Sequence, residues 1–394
     1  MNFVSSWKMA NILFLCTGTQ ALSVMRPLAK SGHKIFFISN EHGNYADASR
    51  YTTRTYYTEA KVEDEEFLKL TVEVVRIEKI DTLIPSGDAA AELVSKNLNM
   101  IGKLVKIQAP NYDTFLKGYD KNQLMKLCRK NGYPHPETID MSSVDINDSR
   151  VFDSFPFPGL LKPNCTTGGR GMTMIENYNA LKELYPQIKS QFGDCHLQRF
   201  IREGGRQVKV QLYIDEKGNL VNSSVLDKVR WYPVKGGSSC CAVSIEDKNI
   251  VEICYNVLKD INWVGFADFD SIEDEKTHEL LIMEINPRIP ACIGAAVHAG
   301  INWGQIIIDG NMGNKQATYT YKTGVVLRHL GFDVLWFLKS PHRFKTKPSW
   351  FRFFGSKIVY QDLSLTDPMP FFVGTYHNIK KLFNSEFKKA KKGV

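Results

Sequence analysis

The stretch from Ile282 to Arg288 carries the densest set of side chains that could do chemistry. If it is a strand, period-two geometry puts Glu284 and Asn286 on one face, and Pro287 ends the strand. A carboxylate and an amide oxygen that converge in this way suit a magnesium ion, which completes its shell with phosphate oxygens and water. Arg288 adds a fixed positive charge whose planar donors fit phosphate or carboxylate. The alternative is a surface strand that simply ends at a proline.

The run from Val264 to Phe269 lies upstream and predicts the partner strand of an antiparallel hairpin. It places Asp268 and Asp270 on one face, so either of them can lie opposite Glu284 and Asn286. Carboxylates that face each other across a hairpin repel unless a cation or solvent exposure relieves them. The pairing therefore favours a cation site, with Asp268 and Asp270 as alternative ligands.

A glycine-rich loop, Thr166 to Gly171, follows a short predicted strand that carries Lys162 at its end. Backbone amides in such a loop can point at one site and cradle a phosphate, while the lysine supplies a mobile positive charge. An ordinary hairpin turn is the alternative.

The elements that must hold these groups in place alternate in type near the N-terminus. Apolar runs at Asn11 to Cys16, Lys34 to Ser39 and Thr82 to Pro85 predict strands, with helical patterns between them. This alternation predicts a parallel sheet covered on both faces, and ligands of such sheets gather at the carboxyl ends of the strands. Here those ends carry Thr17 to Gln20, Glu41 and Ser86 to Asp88. The sequence contains neither a dinucleotide-binding nor a P-loop fingerprint.

Further along, one helix is predicted from Phe115 to Gly132, with Lys121 near its start. Alternation from Cys195 to Ile214 predicts two strands separated by a glycine pair. Val225 to Tyr232 continues in the same style, with two basic side chains on one face.

The 394 residues allow two or three domains, and an apolar content of 43% with 23% charged residues is typical of a globular protein. The eight cysteines are scattered without metal-ligand spacing, which favours a reduced, cytoplasmic protein.

Much of the net charge of +8 lies at the C-terminus. Such a tail could meet an anionic membrane or nucleic acid, but a solvated helix end is expected, and no nucleic-acid partner is.

Taken in order, these features resemble the ATP-grasp superfamily, and specifically its carboxylate-amine ligases of the carbamoyl-phosphate-synthase-like kind. The match runs from about Asn11 to Asn311. After the alternating segment, its motifs are Asp120-Lys121, Lys162-Pro163 with the glycine loop, Gln198-Arg199-Phe200-Ile201, Arg230-Trp231-Tyr232-Pro233 with Gly236-Gly237, Gly265-Phe266-Ala267-Asp268-Phe269 and Glu284-Ile285-Asn286-Pro287-Arg288. Each motif is weak alone, but their order and spacing together are specific.

The resemblance implies an α/β fold that is α+β in the ligase part. An N-terminal parallel-sheet pre-ATP-grasp domain, residues 10–112, would be followed by a two-lobed ATP-grasp domain, residues 113–312, with its small lobe at about 135–200. Residues 313–394 would form a basic and aromatic C-terminal extension. We expect its aromatic side chains to pack on the ligase body, with contact to a membrane surface or a lipid-linked substrate as the alternative.

The resemblance also implies ATP and Mg²⁺, or Mn²⁺, as cofactors. The residues it implies at the nucleotide are Lys121, Lys162, Thr167, Gly168, Gly169, Gly171, Gln198, Arg199, Phe200, Ile201 and Glu203. The two lysines would contact the phosphates and adenine, the loop would close over the phosphates, and the backbone from Arg199 to Ile201 would read the adenine edge. Glu203 and Gln207 are alternative ribose ligands.

For the metal, the resemblance implies Asp268, Glu284 and Asn286, with Asp270 still an alternative to Asp268. The residues it implies near the transferred phosphoryl group are Arg230 and Arg288. The implied reaction is phosphorylation of a small-molecule carboxylate by ATP and attack of an amine on the acyl phosphate. A kinase of a small acid and a non-catalytic nucleotide-binding relative are the alternatives, and a homodimer is left open.

Overall fold

The computed structural model describes residues 9–166, 169–202, 204–234 and 237–383. Three of the residues proposed at the nucleotide, Thr167, Gly168 and Glu203, lie outside these ranges. Gly236, which belongs to one of the motifs, lies outside them as well.

The N-terminal part forms a sheet that is parallel throughout, with four strands in the described residues. The strands are β1 (Asn11–Leu15), β2 (Lys34–Ser39), β3 (Arg54–Tyr57) and β4 (Thr82–Pro85), in the order β3-β2-β1-β4. The helices that accompany them are α1 (Thr19–Lys30), α2 (Glu65–Ile77), α3 (Asp88–Lys96) and α4 (Leu98–Ile101). The side chains of β1 alternate between two hydrophobic cores, one on each face of the sheet. Ile12 and Phe14 pack with α1, while Leu13 and Leu15 pack with α2 and α3. The predicted parallel sheet with two covered faces is therefore confirmed.

The single helix predicted from Phe115 to Gly132 is wrong, because the structure has two helices there. They are α5 (Tyr112–Tyr119) and α6 (Lys121–Asn131). Asp120 has an extended backbone, and its carboxylate accepts hydrogen bonds from the amides of Asn122 and Gln123, at 2.9 and 3.0 Å. An aspartate in this role starts a new helix, so Lys121 begins α6.

A small antiparallel sheet carries the glycine loop at one end. Within the described residues its strands are β5 (Thr138–Asp140), β6 (Gly159–Pro163), β7 (Thr173–Ile175) and β8 (Cys195–Arg199), in the order β5-β8-β6-β7. Helix α7 (Tyr178–Phe192) packs against it.

A larger sheet holds the predicted cation hairpin. Its strands in the described part of the chain are β9 (Gln207–Ile214), β10 (Leu220–Tyr232), β11 (Ser238–Ile245), β12 (Gly265–Glu273), β13 (Leu280–Asn286), β14 (Val326–Arg328) and β15 (Ile358–Tyr360). Their order is β13-β12-β9-β10-β11-β14-β15, and only the β14–β15 pair is parallel. The strands predicted on either side of the glycine pair, β8 and β9, therefore belong to different sheets.

The remaining helices of the described residues are α8 (Lys248–Asp260), α9 (Gly294–Ala299), α10 (Trp303–Met312), α11 (Leu330–Lys339) and α12 (Met369–Phe383). No single helix in this part of the chain has the length and apolar character to cross a membrane, although the segments Ala291–Ala299 and Trp303–Met312, bent by 97°, would meet both criteria as a pair.

Candidate functional site

Three neighbouring strands bring six polar side chains together in two rows. In the register of β9, β12 and β13, residues of one row lie directly across from each other. One row is Lys209, Asp270 and Glu284, and the next is Gln211, Asp268 and Asn286. The predicted hairpin is present, and it places Asp270 opposite Glu284 and Asp268 opposite Asn286.

The two aspartates of these rows are held by lysines. The Lys209 ammonium lies 2.7 Å from a carboxylate oxygen of Asp268 and 2.7 Å from one of Asp270. Lys228 of β10 lies 3.0 Å from the other oxygen of Asp270, and the amide of Gln211 donates to Asp268 at 2.8 Å. We call Lys209, Lys228, Asp268 and Asp270 the buried ion network.

The network is electrically balanced, with two cations and two carboxylates. Burial alone would raise the pKa of Asp270, but Lys209 and Lys228 outweigh it and hold that pKa well below its usual range. Burial would lower the pKa of Lys209, and the two aspartates raise it above its usual range. The pKa of Asp268 is nevertheless raised, first by burial and also by the Asp270 carboxylate, against the opposing effect of Lys209. The ammonium groups therefore relieve part of the repulsion between the carboxylates.

These contacts decide which predicted ligands fit a magnesium ion. Asp268 is fully buried, and both its oxygens are engaged by Lys209 and Gln211, so it fits a metal site only if Lys209 moves. Glu284 has a side chain that is 33% exposed, and its carboxylate lies 3.4 Å from Lys121. Asn286 donates its amide to Asp270 at 3.0 Å, and its oxygen accepts only a long hydrogen bond, of 3.5 Å, from the Arg288 guanidinium. No group of three or more histidine, cysteine, aspartate or glutamate residues in the described ranges could hold a metal. Glu284 and Asn286 fit one ion whose other ligands come from phosphate and water.

Two lysines from different elements converge on Glu284. Lys162 of β6 is 7% exposed, and its ammonium donates to the amide oxygen of Gln198 on β8. Its pKa is lowered to about 8, chiefly by burial, with Lys121 adding to the effect and Glu284 opposing it. Lys121, Lys162 and Glu284 form what we call the lysine cluster. It has one more positive than negative charge, and a phosphate group would compensate it.

The glycine loop folds back onto the start of α6. The Lys121 ammonium donates to the Thr166 carbonyl oxygen at 2.8 Å, and the Thr166 hydroxyl donates to the Arg170 carbonyl oxygen at 3.0 Å. Gly171 has a φ of +75°, and a Cβ at this position would lie 2.8 Å from both Phe192 and Pro163. Glycine is therefore required at this end of the loop. The structure brings Gly169 and Gly171 to the predicted loop, while Thr167 and Gly168 are outside the described residues.

The predicted adenine hinge follows β8. The amides of Arg199 and Phe200 already donate to the carbonyl oxygens of Glu137 and Pro158, at 2.8 and 3.1 Å. The Arg199 guanidinium pairs with Asp274 at 2.6 Å and also with Glu137. This side chain fastens the small sheet to the β12–β13 turn.

Arg288 joins the hairpin to the carboxyl end of β4. Its guanidinium makes two hydrogen bonds to the Asp88 carboxylate, at 3.0 and 3.3 Å, and lies 3.5 Å from the Asn286 oxygen. The strand-end position Ser86 to Asp88 and Arg288, which the sequence suggested separately, are thus neighbours.

Arg230 is in a different environment. It is 1% exposed, and its guanidinium makes two hydrogen bonds to the Asp333 carboxylate, at 2.6 and 3.0 Å. It also donates to the Pro348 carbonyl oxygen at 2.9 Å. Arg328 donates to the same carboxylate at 2.7 Å. We call Arg230, Arg328 and Asp333 the arginine cluster. The structure pairs Arg230 with Asp333 and not with the lysine cluster, so its contact with a phosphoryl group stays a prediction.

Sequence reasoning missed Lys209, Gln211 and Asp333. A signal for the first two existed, because the apolar positions of β9 alternate with a polar face that contains both. Asp333 gave no comparable signal, since it lies in an apolar helical run far along the chain from its partner Arg230.

Residues 120–297 match the family described as carbamoyl-phosphate synthase L chain, ATP binding domain. The chain is 22% identical over 275 residues to the carbamoyl phosphate synthase large chain, C-terminal section, of Methanopyrus kandleri, which covers 66% of this chain and 48% of that protein. It is 24% identical over 298 residues to biotin carboxylase 2 of Bacillus subtilis, which covers 71% of this chain and 65% of that protein. A similar solved structure is the biotin carboxylase domain dimer of Hydrogenobacter thermophilus 2-oxoglutarate carboxylase, in complex with MgADP, ADP and bicarbonate. It aligns with a TM-score of 0.66 and 17% sequence identity, and the alignment covers 81% of this chain and 74% of that chain.

These matches confirm the resemblance to the ATP-grasp superfamily and its carbamoyl-phosphate-synthase-like members. They also confirm the predicted fold class, an α/β fold that is α+β in the ligase part and begins with a parallel sheet. The chain spans about half the length of the Methanopyrus kandleri relative, and the solved structure establishes likeness of fold alone.

Proposed function

We propose that this protein is an ATP-dependent carboxylate-amine ligase, because residues 120–297 match the family described as carbamoyl-phosphate synthase L chain, ATP binding domain. It would transfer the γ-phosphoryl group of ATP to a small-molecule carboxylate. An amine then attacks the acyl phosphate, and ADP and phosphate are released. The observation that carries this proposal is the convergence of Lys121, Lys162 and Glu284, a cluster with unbalanced positive charge beside a glycine loop.

Within this site, Lys121 and Lys162 hold the nucleotide phosphates. Phosphoryl transfer needs positioning and charge neutralisation more than a protein nucleophile, and buried lysines supply both. The lowered pKa of Lys162 supports this role, because a bound phosphate would stabilise the charged ammonium that burial disfavours. The loop from Thr167 to Gly171 would cover the phosphates.

Glu284 and Asn286 would hold the magnesium ion, which neutralises phosphate charge when bound. Mn²⁺ prefers the same oxygen donors and serves as its spectroscopic substitute. Asp268 would join them only after Lys209 leaves it. Asp270 is held more tightly, by two lysines, and is the weaker candidate.

For the adenine we propose the hinge Gln198, Arg199, Phe200 and Ile201, with Glu203 or Gln207 at the ribose. Since the amides of Arg199 and Phe200 already have acceptors, the free donor we expect at the adenine edge is the Ile201 amide.

The acid and the amine would bind near Arg288 and the strand ends of the first sheet. The Arg288–Asp88 pair supports this, because it puts a guanidinium and a carboxylate side by side at that edge. We further propose the division into domains at residues 10–112, 113–312 and 313–394, a cytoplasmic location and a homodimer.

The test is release of ADP and phosphate from ATP and Mg²⁺ in the presence of pools of small acids and amines. We expect release only with a matching pair, and its loss in Glu284→Gln. A stable phosphorylated acid formed without an amine would instead indicate a kinase. Nucleotide binding and turnover that are unchanged in Glu284→Gln would overturn the metal assignment, which binding of Mn²⁺ in the presence of ADP checks directly.

A further inference from the structure

The basic and aromatic segment from Phe337 to Lys357 divides into an anchored half and an exposed half. In the anchored half, the Trp350 indole donates to the Asp333 carbonyl oxygen at 3.0 Å. The Phe353 ring lies 4.3 Å from the Arg328 guanidinium. These contacts fasten the segment to α11 and β14, so its remaining side chains are presented from a fixed base.

The exposed half consists of three phenylalanines, which we call the aromatic patch. Phe344 is 71% exposed, Phe351 is 59% exposed and Phe354 is 90% exposed. The rings of Phe344 and Phe351 stack with centroids 6.3 Å apart, and each lies 5.6 Å from the ring of Phe337. Exposed rings that contact one another, as Phe344 and Phe351 do, mark a surface that another body covers.

The chain around the patch is uniformly basic. No acidic residue occurs between Asp333 and Asp362 in the sequence. The basic residues in that interval are Lys339, Arg343, Lys345, Lys347, Arg352 and Lys357. All of these except Arg343 are exposed, and the Arg343 guanidinium lies 5.4 Å from the Phe344 ring. Exposed aromatic rings surrounded by positive charge fit a partner that has an anionic surface and an apolar layer below that surface.

We propose that the aromatic patch binds the surface of a lipid bilayer that contains anionic lipids. The phenylalanine rings enter the headgroup region, and the surrounding lysines and arginines contact lipid phosphates. The same pattern would fit an acidic protein less well, because a protein face rarely combines a deep apolar layer with continuous negative charge. The proposal is independent of the ligase activity, since the patch has its anchors in the arginine cluster and not in the lysine cluster.

Flotation of the full chain with vesicles of phosphatidylcholine, with and without phosphatidylserine, tests this. We expect binding to the anionic vesicles only, weakened by added salt. Phe344→Ser/Phe351→Ser/Phe354→Ser lowers the partition coefficient about tenfold or more. Lys345→Glu/Lys347→Glu lowers it by a similar factor, roughly tenfold, on anionic vesicles.

A matched control is Lys103→Glu/Lys130→Glu, which makes the same change in net charge at exposed positions elsewhere in the chain. It should retain most of the binding. Thermal melting of each variant excludes unfolding as the cause of a loss. The proposal is overturned if the chain binds neither kind of vesicle, or if the patch variant and the control bind equally. It is also overturned if the patch variant keeps vesicle binding but loses self-association, which would make the patch a protein interface.

Discussion

The lysine cluster and the arginine cluster have the same formal charge, two cations beside one carboxylate, but only one of them is open to a ligand. In the arginine cluster, Asp333 accepts from both Arg230 and Arg328. The spare guanidinium donors reach the carbonyl oxygens of Pro348 and Arg352, at 2.9 and 3.0 Å. Arginine also keeps its charge under burial. Each guanidinium group is thus held within the protein by the Asp333 carboxylate and a backbone carbonyl oxygen, and the buried Nη2 of Arg328, which makes no hydrogen bond, lies 2.7 Å from that carboxylate.

In the lysine cluster, by contrast, the charge is not compensated internally. Lys121 lies 3.4 Å from Glu284, whose side chain is 33% exposed. Lys162 contacts a neutral amide, and burial lowers its pKa to about 8, a shift that Glu284 opposes and Lys121 increases. Net charge therefore does not identify a phosphate site. A phosphate site is identified by cations whose charge and hydrogen-bond donors are not fully satisfied by other groups of the protein.

The largest effect we expect is on stability, in Asp333→Asn. The change leaves two buried guanidinium groups without a carboxylate, which costs about 3–5 kcal/mol when one partner of a buried ion pair is removed. The free energy of unfolding from urea titration measures it. Glu65→Gln breaks an exposed ion pair with Lys69 and serves as the control, with little expected change. A stable Asp333→Asn variant that no longer releases ADP would contradict the claim that only the lysine cluster is open to a ligand, because the arginine cluster would then be a ligand site.

The buried ion network should respond next most strongly, in Lys209→Met. Asp268 loses its ammonium partner, and Asp270 keeps only Lys228, so we expect a loss of roughly 3 kcal/mol in the free energy of unfolding. Magnesium should restore part of that loss, since Asp268 becomes able to join Glu284 as a ligand. Melting with and without MgCl₂ measures both effects. Lys228→Met is the matched control, because Lys228 contacts Asp270 and leaves the Lys209–Asp268 contact in place. No magnesium-dependent gain in Lys209→Met would show that Asp268 is not a latent ligand.

Lys162→Met should separate activity from stability. Loss of one preorganised charge at the transferred group lowers turnover by about 100-fold, or roughly 3 kcal/mol of transition-state stabilisation. The variant should be at least as stable as the parent, because a buried charge is removed without leaving an unpaired carboxylate. ADP release and thermal melting measure the two quantities. Lys130→Met changes an exposed lysine of α6 and should alter neither. A destabilised Lys162→Met variant would make the lysine cluster structural, like the arginine cluster.

The sequence could predict what depends on local periodicity. The hairpin that pairs Glu284 with Asp270 was predictable because both strands alternate and a short polar turn joins them. The short strand that carries Lys162 was also predicted, and it is present as β6. The break at Asp120 was not predicted, because the apolar pattern continues through it and only the capping hydrogen bonds of its carboxylate divide the helix.

Pairings across long distances in the sequence could not be predicted. Asp268 could take a metal ion or a lysine, and which one it takes depends on β9 lying beside β12, a neighbour that local pattern does not specify. In the same way, Arg230 and Arg288 have the same chemistry, but one pairs with Asp333 and the other with Asp88. Residue type sets the possible partners, and tertiary packing selects among them.

The smallest effect we expect is a pH dependence that belongs to Lys162. Its pKa is about 8 in the folded protein, against an ordinary value of 10.5. Between these values the unfolded chain holds a proton that the folded chain has released, so this group makes stability rise with pH across that window. Bound phosphate favours the ammonium, so nucleotide affinity should be constant below pH 8 and fall above it by up to about tenfold per pH unit. Titration with ADP between pH 7 and 9.5 measures this. The Lys162→Met variant should show no such fall, and an equal fall in that variant would assign the titration to another group.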